Sequence, residues 1–369
     1  MYKVFSTFSG VGGFEVGLKK TLWDIEIVGF SEIDKYAIEI YKKNFPGVEN
    51  YGDISKIIPE ELPDFDILVG GFPCQDVSIA GKQNLDGGRT ILVIPLLKIL
   101  EVKKPKYFIF ENVKGILSEK FRPFYTSILD EIVRLGYEVD ASVYNTKDYG
   151  IPHNRERVFF SGERNGDLFF FRKPNPIKLE KCLGDLLEDH VDEKYFLTEK
   201  FLKWATWREG AFEGRFKIKD PKEVANCLTT RGGGRITDNF IFQYPRGKNK
   251  GGCKDICPTI TANQWEHNNI LIRKIWNINP SGNGINGNIY EAEGGLSPTL
   301  TTNKGEGVKV LMKHGARRLI PLECERLQGY PDNWTEGVSD TQRYHQMGNS
   351  ITTVIPEYIA RNLILKENI

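Results

Sequence analysis

Cys74 stands in the run Gly70-Gly71-Phe72-Pro73-Cys74-Gln75, directly after an apolar stretch at 66–69 that reads as a strand. A thiol beyond a strand end can be shifted toward thiolate by a helix N-terminus or a nearby cation, and the thiolate is the nucleophile. A cysteine alone is more often an inert small hydrophobe. Its company makes chemistry the better reading. Glu111 opens Glu111-Asn112-Val113 after a second strand-like run at 107–110, and a carboxyl beside a thiolate is a candidate acid for a ring nitrogen. His153-Asn154-Arg155-Glu156-Arg157 precedes a third run at 158–162. Strand alternation sends Arg155 and Arg157 to one side. Two guanidinium groups can hold an acid, orient a base or bind phosphate; a surface ion-pair cluster is the other reading.

A second group of residues could hold a ligand. Phe8-Ser9-Gly10-Val11-Gly12-Gly13-Phe14 follows a strand-like run and precedes a helical one. Glycines there permit a sharp turn and close approach of backbone to a ligand. The glycine spacing is not the G-x-G-x-x-G of dinucleotide folds. Glu32 and Asp53 lie at the expected ends of the next two strands. A carboxylate there can accept from hydroxyl or amino groups; helix capping and plain surface charge are the alternatives. After Cys74 comes a polar loop from Ser78 to Arg89, with Gly81, Gly87 and Gly88 as hinges. Such a loop could close over a substrate.

These residues need a scaffold that gathers strand ends. The first 172 residues alternate between strand-like runs (3–8, 25–31, 66–69, 107–110, 137–144 and 158–162) and helical ones (13–20, 35–44, 91–103 and 123–135). That alternation predicts an α/β fold, a parallel sheet with crossover helices. Lys173-Pro174-Asn175-Pro176 reads as a linker. Beyond it helical periodicity fades. Three similar segments, at 227–230, 258–261 and 298–302, each precede a turn and a strand-like run (240–242, 270–272 and 308–311). They read as hairpins on one surface. Helical patterns return at 321–328 and 356–365, with Gly348-Asn349-Ser350 between them.

Six motifs in order resemble the DNA (cytosine-5) methyltransferase family: Phe-Ser-Gly-x-Gly-Gly, Gly-Phe-Pro-Cys-Gln, Glu-Asn-Val, Asn-Arg-Glu-Arg, Arg-Leu-Gln-Gly-Tyr-Pro at 326–331, and Gly-Asn-Ser. The resemblance implies a Rossmann-like S-adenosylmethionine-dependent methyltransferase domain (1–172 plus 340–369) and a smaller, irregular β-rich target-recognition domain (173–339). It implies that Cys74 is the nucleophile on C6 of a flipped-out cytosine, that Glu111 meets the N3 edge, and that Arg155 and Arg157 are the basic pair. Phe8, Gly10, Gly12, Gly13, Glu32, Ile33, Asp53 and Asn349 would line the S-adenosylmethionine pocket, with Ile33 against the adenine. Ser78 and Arg89 would belong to the mobile loop, Arg89 on a DNA phosphate. The family usually carries Gln where His153 stands.

Composition agrees with that class. The chain has 369 residues, 40% hydrophobic and 27% charged, and a net charge of +1. Between Lys203 and Lys254, however, 12 Lys/Arg face 5 Asp/Glu. A local basic excess supplies phosphate contacts, so Arg231, Arg235, Arg246 and Lys248 join the expected contacts to double-stranded DNA. Six cysteines make no disulfide scaffold, and Cys253, Cys257 and His267 make no full zinc set, so no metal is expected. No run reaches the roughly 20 apolar residues of a membrane span, and the N-terminus has no signal-peptide pattern. A cytoplasmic, monomeric enzyme is expected, with a separately acting restriction endonuclease as a possible partner. Three other readings stay open: the same chemistry on tRNA, a silent DNA-binding relative, and a nicotinamide oxidoreductase.

Overall fold

A computed structural model describes residues 1–21, 24–73, 92–164, 173–195 and 319–364, together with short strand segments between 218 and 318. The chain falls into two compact units. One comprises 1–186, 224–232 and 321–369; the other comprises 187–223 and 233–320. Residues 321–339, assigned from sequence to the recognition part, thus group with the first unit.

The first unit is built on a six-stranded sheet. Its strands are β1 (Tyr2–Thr7), β2 (Ile25–Ser31), β3 (Ile67–Gly71), β4 (Tyr107–Val113), β5 (Tyr137–Asn145) and β7 (Glu156–Arg164), in the order β2-β1-β3-β4-β7-β5. The two-residue β6 (His153–Asn154) pairs separately with β9 (Ala225–Asn226). The central strands carry apolar side chains toward both faces because both sheet faces are covered. Val4, Ile67, Val69, Tyr107, Ile109 and Phe159 face one layer, which holds Phe14 and Leu18 of α1 (Gly13–Lys19) and Ile355, Ile359 and Leu363 of the C-terminal helix, α7 (Val354–Ile364). Their sequence neighbours Phe5, Leu68, Phe108, Phe110 and Phe160 face the opposite layer. That layer holds Leu96, Ile99 and Leu100 of α3 (Val93–Lys103) and Ile128 and Ile132 of α4 (Arg122–Arg134).

Strands β1 to β4 run parallel, as the alternation predicts. β7 does not: it is antiparallel to both β4 and β5. The connection from β5 to β7 carries only the short turn Thr146–Tyr149 and β6, with no crossover helix. A parallel return would need a dozen or more residues, so the chain folds back as a hairpin. The expectation of an all-parallel sheet is corrected to a mixed one. Because β2 and β3 lie on opposite sides of β1, the chain changes direction at β1/β3, and ligands in open α/β sheets bind beyond the strand ends at such a point.

Three further described helices belong to this unit. α2 (Lys35–Asn44) is capped by Asp34, whose side chain accepts from the backbone of Tyr36 and Ala37. After α5 (Pro321–Leu327) comes α6 (Asp340–Asn349), capped by Ser339. The sequence reading has no helix at 340–349, because polar Thr341, Gln342, Arg343 and His345 blur the apolar period.

The second unit's described strands are short. β8 (Ile218–Lys219), β10 (Phe240–Phe242) and β13 (Ala316–Arg318) form one sheet; β11 (Arg273–Asn277) and β12 (Asn288–Glu291) pair antiparallel. The run at 240–242 is a strand as expected. Its partners are the distant β8 and β13, not a neighbouring hairpin arm.

Candidate active site

Glu111 lies near the C-terminal end of β4, in register with Gly71 of β3 and Phe159 of β7. Arg157 precedes Phe159 by two residues, which makes it the diagonal cross-strand neighbour of Glu111 on one face. Its Nε lies 2.9 Å from Glu111 Oε1, with side chains only 19% and 11% exposed. On the other flank, a Cβ added to Gly71 would sit 3.4 Å from Glu111 Oε2. Gly71 thus lies directly beside the second carboxylate oxygen. Asn112 ties the neighbouring turn down: its Nδ2 donates to Phe72 O at 3.2 Å, and its Oδ1 accepts from Val113 N at 2.8 Å. The chain leaves this anchored Phe72 through Pro73 toward Cys74. Cys74 itself, like Ser78 and Arg89, lies outside the described residues.

Arg155 has a different position from Arg157. It is 2% exposed and turns toward the Gly-Asn-Ser segment, donating to Ser350 O at 2.6 Å and Gly348 O at 3.4 Å. Gln328 grips the same segment through Nε2, to Met347 O at 2.6 Å and Ser350 O at 3.3 Å. Its Oε1 accepts from Thr352 Oγ1, which also pairs with Thr146 Oγ1. His153 is fully buried, with Nδ1 3.0 Å from Leu327 O. Burial, then the charges of Arg155 and Arg157, hold its pKa well below the ordinary histidine value. The ring is therefore neutral, and its Nδ1–H donates to the carbonyl. His153, Arg155 and Gln328 together lock three chain segments into one buried polar cluster. The sequence reading grouped Arg155 with Arg157 and gave Gln328 no role. A buried glutamine beside a helix end is a signal only once its carbonyl partners are known.

The glycine turn lies beyond β1. Phe8, Gly10 and Gly12 have φ of 49°, 54° and 90°. A left-handed Phe8 costs on the order of 1–3 kcal/mol, so surrounding contacts must hold it. Glu32, just past β2, supplies one: Oε2 accepts from Gly10 N at 2.8 Å, and Oε1 accepts from Ile33 N and Asp34 N at 2.8 and 2.9 Å. A Cβ on Gly10 would meet nothing within 4 Å, and Ile33 is 73% exposed. An open glycine, a fixed carboxylate and a bare apolar side chain at one switch point fit a ligand with an amphipathic ring and polar substituents. Such a set could hold an adenosine-bearing cofactor. Asp53 is not at a strand end; it caps the turn Ile54–Lys56, its Oδ1 accepting from Ser55 N and Oγ, and those bonds lower its pKa. Asn349 ends α6 exposed, its Nδ2 3.4 Å from His345 Nε2.

Other residues build the turn from behind. A Cβ on Gly13 would fall 2.5 Å from Tyr330 Oη and 2.6 Å from Ile351 Cγ1. Tyr330 hydrogen-bonds Ser350 Oγ. In α1, the fully buried Glu15 accepts from Tyr41 Oη at 2.8 Å, and burial raises its pKa. Arg231, Arg235, Arg246 and Lys248, and the Cys253, Cys257 and His267 group, lie outside the described residues. Among the described residues no cluster of His, Cys, Asp or Glu could hold a metal, and no helix is long and apolar enough to cross a membrane.

Comparison with known proteins matches this geometry. The chain is 32% identical over 368 residues to the type II methyltransferase M1.ScrFI of Lactococcus lactis subsp. cremoris, covering 98% of this chain and 78% of the relative. It is 30% identical to the type II methyltransferase M.NlaX of Neisseria lactamica, covering 98% and 96%. Its fold is similar to the crystal structure of a Spodoptera frugiperda DNMT2 mutant, with a TM-score of 0.70, 21% identity, and 99% and 100% coverage. The family described as C-5 cytosine-specific DNA methylase matches residues 2–365. A mixed methyltransferase sheet, an acid–arginine pair at its strand ends and a family match along nearly the whole chain lead to one conclusion: the protein belongs to the C-5 cytosine-specific DNA methylase family.

Proposed function

We propose that this S-adenosylmethionine-dependent DNA (cytosine-5-)-methyltransferase acts on a cytosine turned out of a specific double-stranded sequence, through a covalent bond between Cys74 and C6. The observation that carries this reading is the Arg157–Glu111 pair beside Gly71. Cys74 follows Gly71 by three residues, so chain geometry limits their separation to about 11 Å.

Cytosine C5 is a poor nucleophile. Attack of the Cys74 thiolate on C6 forms the S–C6 bond and pushes the ring electrons toward C5 and N3. Glu111 hydrogen-bonds or protonates N3 as charge builds there. Arg157 fixes Glu111 and offers cationic donors near O2, a preorganised field that needs no reorganisation during reaction. S-adenosylmethionine supplies an electrophilic methyl group on its sulfonium. Phe8, Gly10, Gly12, Gly13, Glu32, Ile33, Asp53 and Asn349 would hold it. Loss of the C5 proton to a base and breakage of the S–C6 bond then restore the aromatic ring and free Cys74. Arg155 acts at one remove, by setting the segment that carries Asn349.

The target carbon lies inside the base stack, so extrusion costs a few kcal/mol. The loop bearing Ser78 and Arg89, and Arg231, Arg235, Arg246 and Lys248, would offset this through backbone and base contacts. The two relatives above are named as type II methyltransferases. A monomer working alongside a separate endonuclease is the corresponding proposal here.

The test is covalent trapping. Duplex DNA carrying 5-fluorocytosine at sites located by bisulfite sequencing should yield an adduct stable to denaturing electrophoresis with the native protein, and none with Cys74→Ser. Undiminished methylation by Cys74→Ser would overturn the mechanism.

A further inference from the structure

We infer that Trp334 is a positioning residue for the cofactor turn, setting affinity for S-adenosylmethionine from outside the pocket. The inference rests on the cofactor-site reading above. Its basis is the Val11–Gly12 peptide. Gly12 N donates to Ser9 O at 2.9 Å, closing the turn. Val11 O accepts from Trp334 Nε1 at 2.8 Å. Both polar ends of one peptide unit are thereby pinned, and its plane cannot rotate without breaking a bond. This matters because Gly10 and Gly12 on either side of Val11 are left-handed glycines with little conformational preference of their own.

The indole is itself held rigidly. Its ring meets Phe45 edge-on at 5.7 Å between centroids and Tyr330 at 5.6 Å. Phe45 stands behind Gly12, where a Cβ would lie 2.4 Å from Phe45 Cε2. Tyr330 stands behind Gly13. Left-handed Asn333 turns the chain into Trp334. The end of α2 then fastens it, Asn44 Nδ2 donating to Trp334 O at 3.1 Å and Lys43 Nζ to Glu336 O at 2.7 Å. The residues after Arg-Leu-Gln-Gly-Tyr-Pro thus carry a rigid donor whose acceptor is the backbone of the cofactor turn.

The test is Trp334→Phe, which keeps an aromatic ring against Phe45 and Tyr330 and deletes the donor. Affinity for S-adenosylmethionine and S-adenosylhomocysteine is read by calorimetry on the full chain, alongside kcat and the KM for DNA. One buried hydrogen bond is worth on the order of a tenfold change. Expected are a five- to tenfold weaker cofactor affinity, an equal rise in cofactor KM, and kcat at saturating cofactor and DNA KM both within twofold of native. Cofactor affinity within twofold of native would overturn the inference, as would a loss shared equally by kcat and DNA KM. Glu32→Ala separates the two levels. If it leaves cofactor binding intact, the cofactor-site reading itself fails; if it abolishes binding while Trp334→Phe changes nothing, only the role of Trp334 fails.

Discussion

Two arginines two residues apart, expected to share one task, give a sharp test when each is replaced by methionine. Methionine keeps an unbranched stem and removes the charge. For Arg157 the relevant distance is 2.9 Å to Glu111. At an effective dielectric of about 20, a pair at that distance attracts by about 6 kcal/mol before desolvation. Much of this is cancelled, because taking both groups out of water is costly. A stability loss of about 1–3 kcal/mol remains. The larger effect of Arg157→Met is on rate: removing one preorganised donor costs about 10²–10³ in kcat. Cofactor affinity should stay within twofold. For Arg155 the ledger reverses. Its bond to Ser350 O is short at 2.6 Å, and its second, to Gly348 O, is long at 3.4 Å. Charge-assisted bonds contribute about 1.5–3 kcal/mol each, and Gln328 Nε2 at 3.3 Å can satisfy Ser350 O only in part. Arg155→Met should therefore lose about 2–4 kcal/mol in urea unfolding and weaken cofactor binding about tenfold, with a smaller change in kcat at saturation. Urea titration, calorimetry with S-adenosylhomocysteine, and steady-state kinetics on DNA separate the two profiles. Identical profiles, or an Arg155→Met protein within 0.5 kcal/mol of native stability, would refute the division of labour.

Gly13→Ala places a methyl against Tyr330 Oη and Ile351 Cγ1, both in a packed region; overpacking of this kind costs about 1–3 kcal/mol. A drop of several degrees in thermal midpoint is expected, and an unchanged midpoint would contradict the packing described. His153 predicts a pH dependence. Its folded pKa lies well below the ordinary value, so the unfolded chain takes up a proton that the folded protein refuses. The stability it contributes is complete above about pH 6.5 and is lost as pH falls toward the folded pKa, by up to about 1.4 kcal/mol per pH unit. Urea midpoints at pH 7.5, 6 and 5 should fall steeply for the native protein and less steeply for His153→Gln, and parallel curves would assign the acid sensitivity elsewhere.

Much of the scaffold was legible because burial imposes period. The apolar runs at 3–8, 25–31 and 107–110 mark strands packed into the core, and Ile40 and Tyr41 mark the core side of α2. Asp34 and Ser339 are both helix caps, yet only the helix after Asp34 was readable. Its apolar face is regular, whereas the one after Ser339 is broken by polar Thr341, Gln342, Arg343 and His345. Side-chain type and local spacing thus determined the α/β class, the glycine turn and the strand-end position of Glu111. Tertiary structure alone decided that β7 runs antiparallel, and with it which arginine meets the acid. A single strand pattern is the same read in either direction, whereas the antiparallel register makes Arg157 the diagonal neighbour of Glu111 and leaves Arg155 to the Gly348–Ser350 backbone. The partnership of Trp334 with Val11, 323 residues apart, is of the same kind. It depends on two backbone paths converging, and no local pattern encodes that.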